Sequence, residues 1–309
     1  MGRLELTVTG IHGEPQRLDR WCAGCELPFT RSAFKQLVTA VLVNGRPVKL
    51  SRLVQNGDTV VLDWKDPPAA SVEPQNIPLS ILYENELVTV INKRQGMVTH
   101  PGSGNHDGTA VNALLFHWGK TVQDETGFRA GIVHRLDKDT SGVMITARDY
   151  QSELWLQNEF KERRVGKYYI AILCGKLPGA TGKITARIAR DPGNRKRFKV
   201  TERTDIGKTA VTFWKVLSVR GPYSLVAFKL GTGRTHQLRV HSRYMGCPIL
   251  GDPIYGKRDA LFPDATLMLH ARLLLVRLPG AKERSRFKAP VPGRFRRILQ
   301  TLDRAYGKS

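Results

Sequence analysis

Four prolines fall within the fourteen residues Lys65 to Pro78 (KDPPAASVEPQNIP). Proline fixes its own φ and has no N–H to give, so neither a helix nor a central strand runs through such a stretch. The chain is thereby divided into a head (residues 1–66), a linker (67–77) and a body (78–309). The head is too small for an elaborate active site, whereas the body is long enough to bury a sizeable core.

In the head, RLDRWCAG and SAFKQLVTA read as short helices, VLVNGRPV as two strands about an Asn44-Gly45 turn, and TVVLDW as a further strand. In the body, ILYENELVTVIN, SGVMITAR, KYYIAILCG, AVTFWKVLSV, YSLVAFKLG and LMLHARLLLVRL are strand-like, while TAVNALLFHW, SELWLQNEFKERR, HQLRVHSRYM and GRFRRILQTLDRAY carry helical spacing. Strands with interspersed helices and no regular βαβ alternation predict an α+β body on a mostly antiparallel mixed sheet, beside a small αβ head.

The chain carries a formal charge of +22, of which the head accounts for only about +2. A polyanion is the expected partner, and it must meet the body. Residues 281–309 carry +7 and residues 183–208 carry +6. Within the second stretch, Arg195, Lys196, Arg197 and Lys199 surround Phe198, a pattern that can neutralise phosphates and stack on a base, or equally a solvated basic loop. No run of about 18 apolar residues and no lipidation motif favours a membrane, so nucleic acid is the stronger reading. The N-terminus lacks a secretory apolar region and the four cysteines are scattered, which predicts a protein of the reducing cytoplasm. Cys22 and Cys25 have zinc-ligand spacing, but no second pair follows, so no metal site is expected.

Three segments look chemical. His134 to Gly142 (HRLDKDTSG) crowds five ionisable side chains and two hydroxyls between apolar runs, and Asp137 could serve there as nucleophile or general base. Taken alone, the same loop is equally an exposed polar turn. Gly231 to Arg239 (GTGRTHQLR) is a glycine-punctuated turn entering a helix, where Arg234 could grip an anion bidentately. In KYY, alternation puts Lys167 and Tyr169 on one strand face and Tyr168 on the other.

Together these segments resemble the RluA-type family of RNA pseudouridine synthases. The resemblance is carried by GIVHRLDKDTSG from Gly131, KYYIA from Lys167, GTGRTHQLRVH from Gly231, GCPILGD from Gly246, and LHA from Leu269. One departure is Asn92-Lys-Arg-Gln-Gly96, where family members commonly show a proline after the lysine. The head, with RLDRW, RSAFKQL and VLVNGRPVKLS, resembles the S4 RNA-binding domain.

The resemblance implies isomerisation of specific uridines in structured RNA to pseudouridine, after the base is flipped out, with neither cofactor nor metal. It makes Asp137 the essential catalytic group, Arg234 its ion-pair partner and Tyr169 the ring against the target base. Arg135 would enter the helix where the uridine leaves, with His134 and Lys167 beside it. Arg17, Arg31 and Lys35 of the head, with Arg195, Lys196 and Arg197 of the body, are the further expected RNA contacts. The wording around Arg129 to His134 resembles the RluD-like branch acting on large-subunit ribosomal RNA; the same chemistry on tRNA and a non-catalytic ribosome-assembly factor are the alternatives. A monomer is expected. A methyltransferase is disfavoured, since no GxGxxG follows a strand.

Overall fold

A computed structural model describes residues 2–25, 34, 37–65, 72–102, 104–120, 130–194 and 196–307. The chain separates into two compact units, Met1–Ala70 and Ser71–Ser309.

The first unit comprises β1 (Gly2–Thr7), β2 (Gln16–Arg17), α1 (Leu18–Trp21), β3 (Val38–Val43), β4 (Arg46–Pro47), β5 (Leu53–Val54) and β6 (Thr59–Trp64). Four strands pair antiparallel in the order β1-β6-β3-β4, and β2 pairs with β5. The β3–β4 turn has φ of 51° at Asn44 and 75° at Gly45, the left-handed pair that a tight hairpin requires. The helix expected over SAFKQLVTA, part of which lies outside the described residues, gives way to β3 at Val38, because the β-branched Val38, Thr39 and Val41 prefer a pleated surface. Cys22 lies in the apolar cluster of this unit with Leu18, Val41 and Leu62. Burial pushes its thiol up to about 12, which leaves a core residue and not a thiolate.

The second unit runs β7 (Ile81–Glu84), β8 (Val88–Lys93), α2 (Ala110–Trp118), β9 (Ser141–Ala147), α3 (Tyr150–Lys161), β10 (Gly166–Cys174), β11 (Thr181–Arg190), β12 (Phe198–Thr201), β13 (Lys208–Arg220), β14 (Tyr223–Leu230), α4 (Gln237–Tyr244), β15 (Leu269–Arg277), β16 (Arg284–Lys288) and α5 (Gly293–Tyr306). The run ILYENELVTVIN is two strands, because the Asn85 side chain accepts from the amides of Leu87 and Val88 and turns the chain. The strands form one sheet in the order β12-β11-β13-β14-β10-β15-β9-β8-β7, with β16 also on β15. All these pairings are antiparallel except β9 with β15. The sheet is therefore mixed and mostly antiparallel, as the spacing of strand-like runs predicts.

Strand β15 is shared along its length. One edge meets β10, while the other meets β9 at His270 and Ala271 and then β16 from Leu273 onward. One apolar core packs β10, β14 and β15 against α5 through Phe295, Ile298 and Leu302, one stripe of that helix. A second joins β8, β9, β15 and β16 to α3 through Leu156. Helix α2 starts at a capping box in which Thr109 and Asn112 satisfy each other's amides, and it ends at Gly119 in the left-handed conformation. Among the described residues no helix is long and apolar enough to cross a membrane.

Candidate active site

The segment from Gly131 to Gly142 is a loop held at both ends by close backbone approach. At Gly131 (φ 69°) a Cβ would lie 1.9 Å from the Ala147 carbonyl oxygen, and at Gly142 (φ 122°) another would lie 2.2 Å from that of Ala271. Only glycine fits either place. The second marks the parallel junction of β9 with β15, where the Ser141 hydroxyl meets His270 Nδ1 at 2.9 Å and accepts from Arg294 at 2.7 Å.

Behind the loop, the chain after β8 acts as a clamp. Lys93 Nζ, 1 % exposed, donates to the carbonyls of Arg94 (3.1 Å), Met97 (2.6 Å) and Lys138 (3.1 Å). Gly96 N–H also donates to Lys138, Gln95 to Asp139 and the Thr99 hydroxyl to Leu136. The turn Asn92–Gly96 thus holds the carbonyls of Lys138 and Asp139, and Thr99 beyond it holds that of Leu136, so that Asp137 is flanked on both sides. Burial is the main cause that pushes Lys93 down to about 7, opposed by the charges of Asp137 and Asp139.

The Asp137 side chain, 21 % exposed, reaches a cleft of about 440 Å³ between this loop, β10 and the turn into α4. Arg239 Nη1 and His236 Nε2 lie 3.8 and 3.9 Å from the same carboxylate oxygen, Oδ2. The rest of the Arg239 fork is bound bidentately by Asp252, at 2.8 and 2.7 Å, and Asp252 also accepts from the amides of Ile254 and Tyr255. Arg239 is 3 % exposed, so its charge is balanced by Asp252 on one side and faces Asp137 on the other.

This corrects the partner expected for Asp137. Arg234 lines the cleft, but its Nε donates to the Thr209 carbonyl, and Arg239 faces the carboxylate instead. The reason is local: His236 takes a left-handed conformation (φ 54°) at the helix cap, so the chain turns after Arg234 and α4 presents Arg239. Arg239 lies within the motif GTGRTHQLRVH, and an acid in GCPILGD was the sequence signal for its anchorage.

Lys167 and Tyr169 share the cleft wall, as strand alternation predicts. Burial, followed by the negative charge of Asp137, pushes the Tyr169 phenol up, so it stays protonated. Lys167 lies 5.9 Å over the Phe160 ring and is lowered by burial and then by Arg163 and Arg234. His134 stacks on Phe160 at 4.6 Å and its Nε2 accepts from the Ile145 amide. Burial pushes it down to about 3, so it is neutral and braces the loop, and it brings no charge to a phosphate. Arg135 is exposed at the cleft rim.

The other expected RNA contacts are dispersed. Lys196 is exposed, whereas Arg197 is spent on the Ile254 carbonyl through Nε and Nη2. Phe198 is half-buried with Ile188 and Tyr255, beneath Arg190, and so is not a free stacking platform. The basic stretch 183–208 includes the β11–β12 hairpin, with Lys196 in its exposed turn. In the head unit, the Arg17 fork is held by Asp19 at 3.1 and 2.8 Å. Arg31, Lys35 and Arg195 lie outside the described residues. Among the described residues no group of three or more His, Cys, Asp or Glu is placed to hold a metal.

Residues 87–244 match the family described as RNA pseudouridylate synthase. The chain is 42 % identical over 288 residues to "Ribosomal large subunit pseudouridine synthase D" of Borreliella burgdorferi, an alignment covering 90 % of this chain and 87 % of that protein. The chain belongs to the RNA pseudouridylate synthase family. It is 34 % identical over 316 residues to the protein of the same name from Escherichia coli, covering 97 % of this chain and 95 % of the relative. The solved structure of "Human RNA Pseudouridylate Synthase Domain Containing 4" superposes with a TM-score of 0.57 at 29 % identity, over 72 % of this chain and 92 % of that one. As a pseudouridine synthase, the protein is an isomerase, and the glycine-bracketed loop with Asp137 lies inside the matched region.

Proposed function

We propose that this protein converts uridine to pseudouridine in large-subunit ribosomal RNA, with Asp137 as the catalytic group. The observation that carries the reading is a single carboxylate, held by a clamped loop and faced by Arg239, in a cleft of a size suited to one nucleotide. The names of the relatives support the ribosomal target.

The isomerisation gains and loses no atoms. The N1–C1′ bond breaks, the uracil turns, C5 joins C1′, and the proton on C5 passes to N1. A paired uridine cannot present C1′ and C5 to one carboxylate, so it must be extruded at a cost of about a few kcal/mol. Asp137 acts at the ribose. Tyr169, protonated and on the same wall, is placed to lie against the flipped base. Arg135 at the rim is placed to fill the gap in the RNA. Arg234 and Lys167 supply positive charge to the flanking phosphates. We assign the head, residues 1–66, as an S4-like unit adding RNA affinity, and the whole as a cytoplasmic monomer.

Carbodiimide-primer-extension mapping on unmodified large-subunit RNA, with wild type and Asp137→Asn, tests the proposal. Reverse-transcription stops given by wild type alone support it and name the uridine. Stops on tRNA in place of ribosomal RNA move the target, and no stop on either RNA, free or assembled in ribosomal particles, rejects the catalytic reading.

A further inference from the structure

The polar contacts of Asp137 converge on one oxygen. His236 Nε2 and Arg239 Nη1 both face Oδ2, at 3.9 and 3.8 Å, beyond hydrogen-bond length but close enough for their polarity to act on the carboxylate. Arg239 is fixed by Asp252; His236 is fixed by a different set of bonds, running to the β11–β12 hairpin. Tyr255, 3 % exposed, has its hydroxyl 2.9 Å from the Phe198 amide and 2.8 Å from His236 Nδ1. The amide can only donate, so the hydroxyl accepts there and must place its single hydrogen elsewhere. Among the described residues His236 Nδ1 is the acceptor within reach. That count puts the imidazole proton on Nε2, the nitrogen aimed at Asp137.

We propose that His236 is a positioning residue for Asp137, its Nε2–H tautomer set by Tyr255 and the Phe198 amide, so that an N–H dipole faces Oδ2 and biases the orientation of the carboxylate. The proposal rests on the reading of Asp137 as the catalytic group. The left-handed backbone of His236 fits the role, since a non-glycine residue at φ 54° is uncommon and here turns the ring into the cleft. Edge-on contacts with Phe198 (5.7 Å) and Tyr255 (5.6 Å) fix the ring plane. The charged groups facing the imidazole are Asp137, Arg239, Asp252 and Arg135; burial lowers its pKa most, and Asp137 opposes this. The ring is therefore a neutral donor, which orients the carboxylate without adding a second full charge to it.

Two measurements on the full chain test this. The first is the single-turnover rate of tritium release from RNA labelled at uridine C5. His236→Asn keeps a residue that tolerates the left-handed backbone but loses the Nε2 donor, whereas His236→Gln restores an N–H near that place. The expected result is a rate lowered about tenfold in the Asn variant, with RNA affinity within about twofold of wild type, and substantial recovery in the Gln variant. An Asn variant matching wild type, or a Gln variant no faster than Asn, overturns the proposal. The second is the long-range ¹⁵N–¹H spectrum of the imidazoles, with His236 assigned by its absence in the Asn variant. An Nε2–H tautomer whose titration moves to lower pH in Asp137→Asn is expected. An Nδ1–H tautomer, or a titration unmoved by Asp137→Asn, overturns the proposal. This second measurement needs no turnover, so it decides the matter even if wild type were to prove inactive and the catalytic reading failed.

Discussion

Lys93 couples the clamp behind the Asp137 loop to pH. Its pKa of about 7 in the fold, against 10.5 for a free lysine, means that between those values the unfolded chain binds more protons than the folded one. Stability therefore rises with pH across that window, by at most about 1.4 kcal/mol per pH unit from this group. Working the two titrations through, the folded state carries a penalty of roughly 4 kcal/mol at pH 7 and roughly 2 kcal/mol at pH 9. Lys93→Met removes that penalty but strips donors from three carbonyls. Lys138 O keeps the Gly96 amide and Arg94 is exposed to water, so the buried Met97 carbonyl is the one orphaned, at about 1–3 kcal/mol. The variant should match or exceed wild type in stability at pH 7, and wild type should gain on it by about 2 kcal/mol by pH 9. Urea unfolding of both proteins at pH 6, 7, 8 and 9, read as the difference between them, checks this. A difference constant across that range would refute the reasoning, and would mean that three carbonyls matched to the three hydrogens of an ammonium outweigh its burial.

Gly142→Ala places a Cβ 2.2 Å from the Ala271 carbonyl oxygen at a φ of 122° and should cost on the order of 4 kcal/mol or more. A thermal melt followed by near-ultraviolet circular dichroism should fall by about 10 °C, and a fall under about 2 °C would contradict the fit. Arg239→Lys keeps a charge but loses the fork that Asp252 grips, so stability should drop by roughly 3 kcal/mol and pseudouridine formation at least about tenfold. Denaturant unfolding and tritium release measure the two effects, and wild-type values in both would remove Arg239 from its place between the carboxylates.

The elements were legible where hydrophobic period and turn chemistry agreed. The strands β9, β10, β14 and β15 and all four helices of the second unit follow the spacing of apolar residues. Strands β11 and β16 were harder to see because charged residues occupy their solvent faces, Lys183 and Arg187 on one and Arg284, Arg286 and Lys288 on the other, and charge masks alternation. At the site, Asp137, Lys167 and Tyr169 come together as the motifs imply. The partner of Asp137 was misread because four residues, including a left-handed one, intervene between Arg234 and Arg239, and spacing is silent on a reversal of that kind. Lys93 escaped notice for another reason: its acceptors are main-chain carbonyls, one of them 45 residues distant, which leave no residue-type signature. Arg197 shows the converse, a cation in a basic cluster whose bonds are internal.

The parallel junction of β9 with β15 also sets a schedule. Ser141 and His270 are separated by 129 residues, so the far wall of the Asp137 loop does not exist until that much more chain has been made. At a synthesis rate of about 5–20 residues per second the interval is about 6–26 s. For that time the growing chain carries Asp137 on a loop whose strand has no partner on one side. An enzyme that acts on RNA, made by a machine built of RNA, lacks that wall throughout the interval.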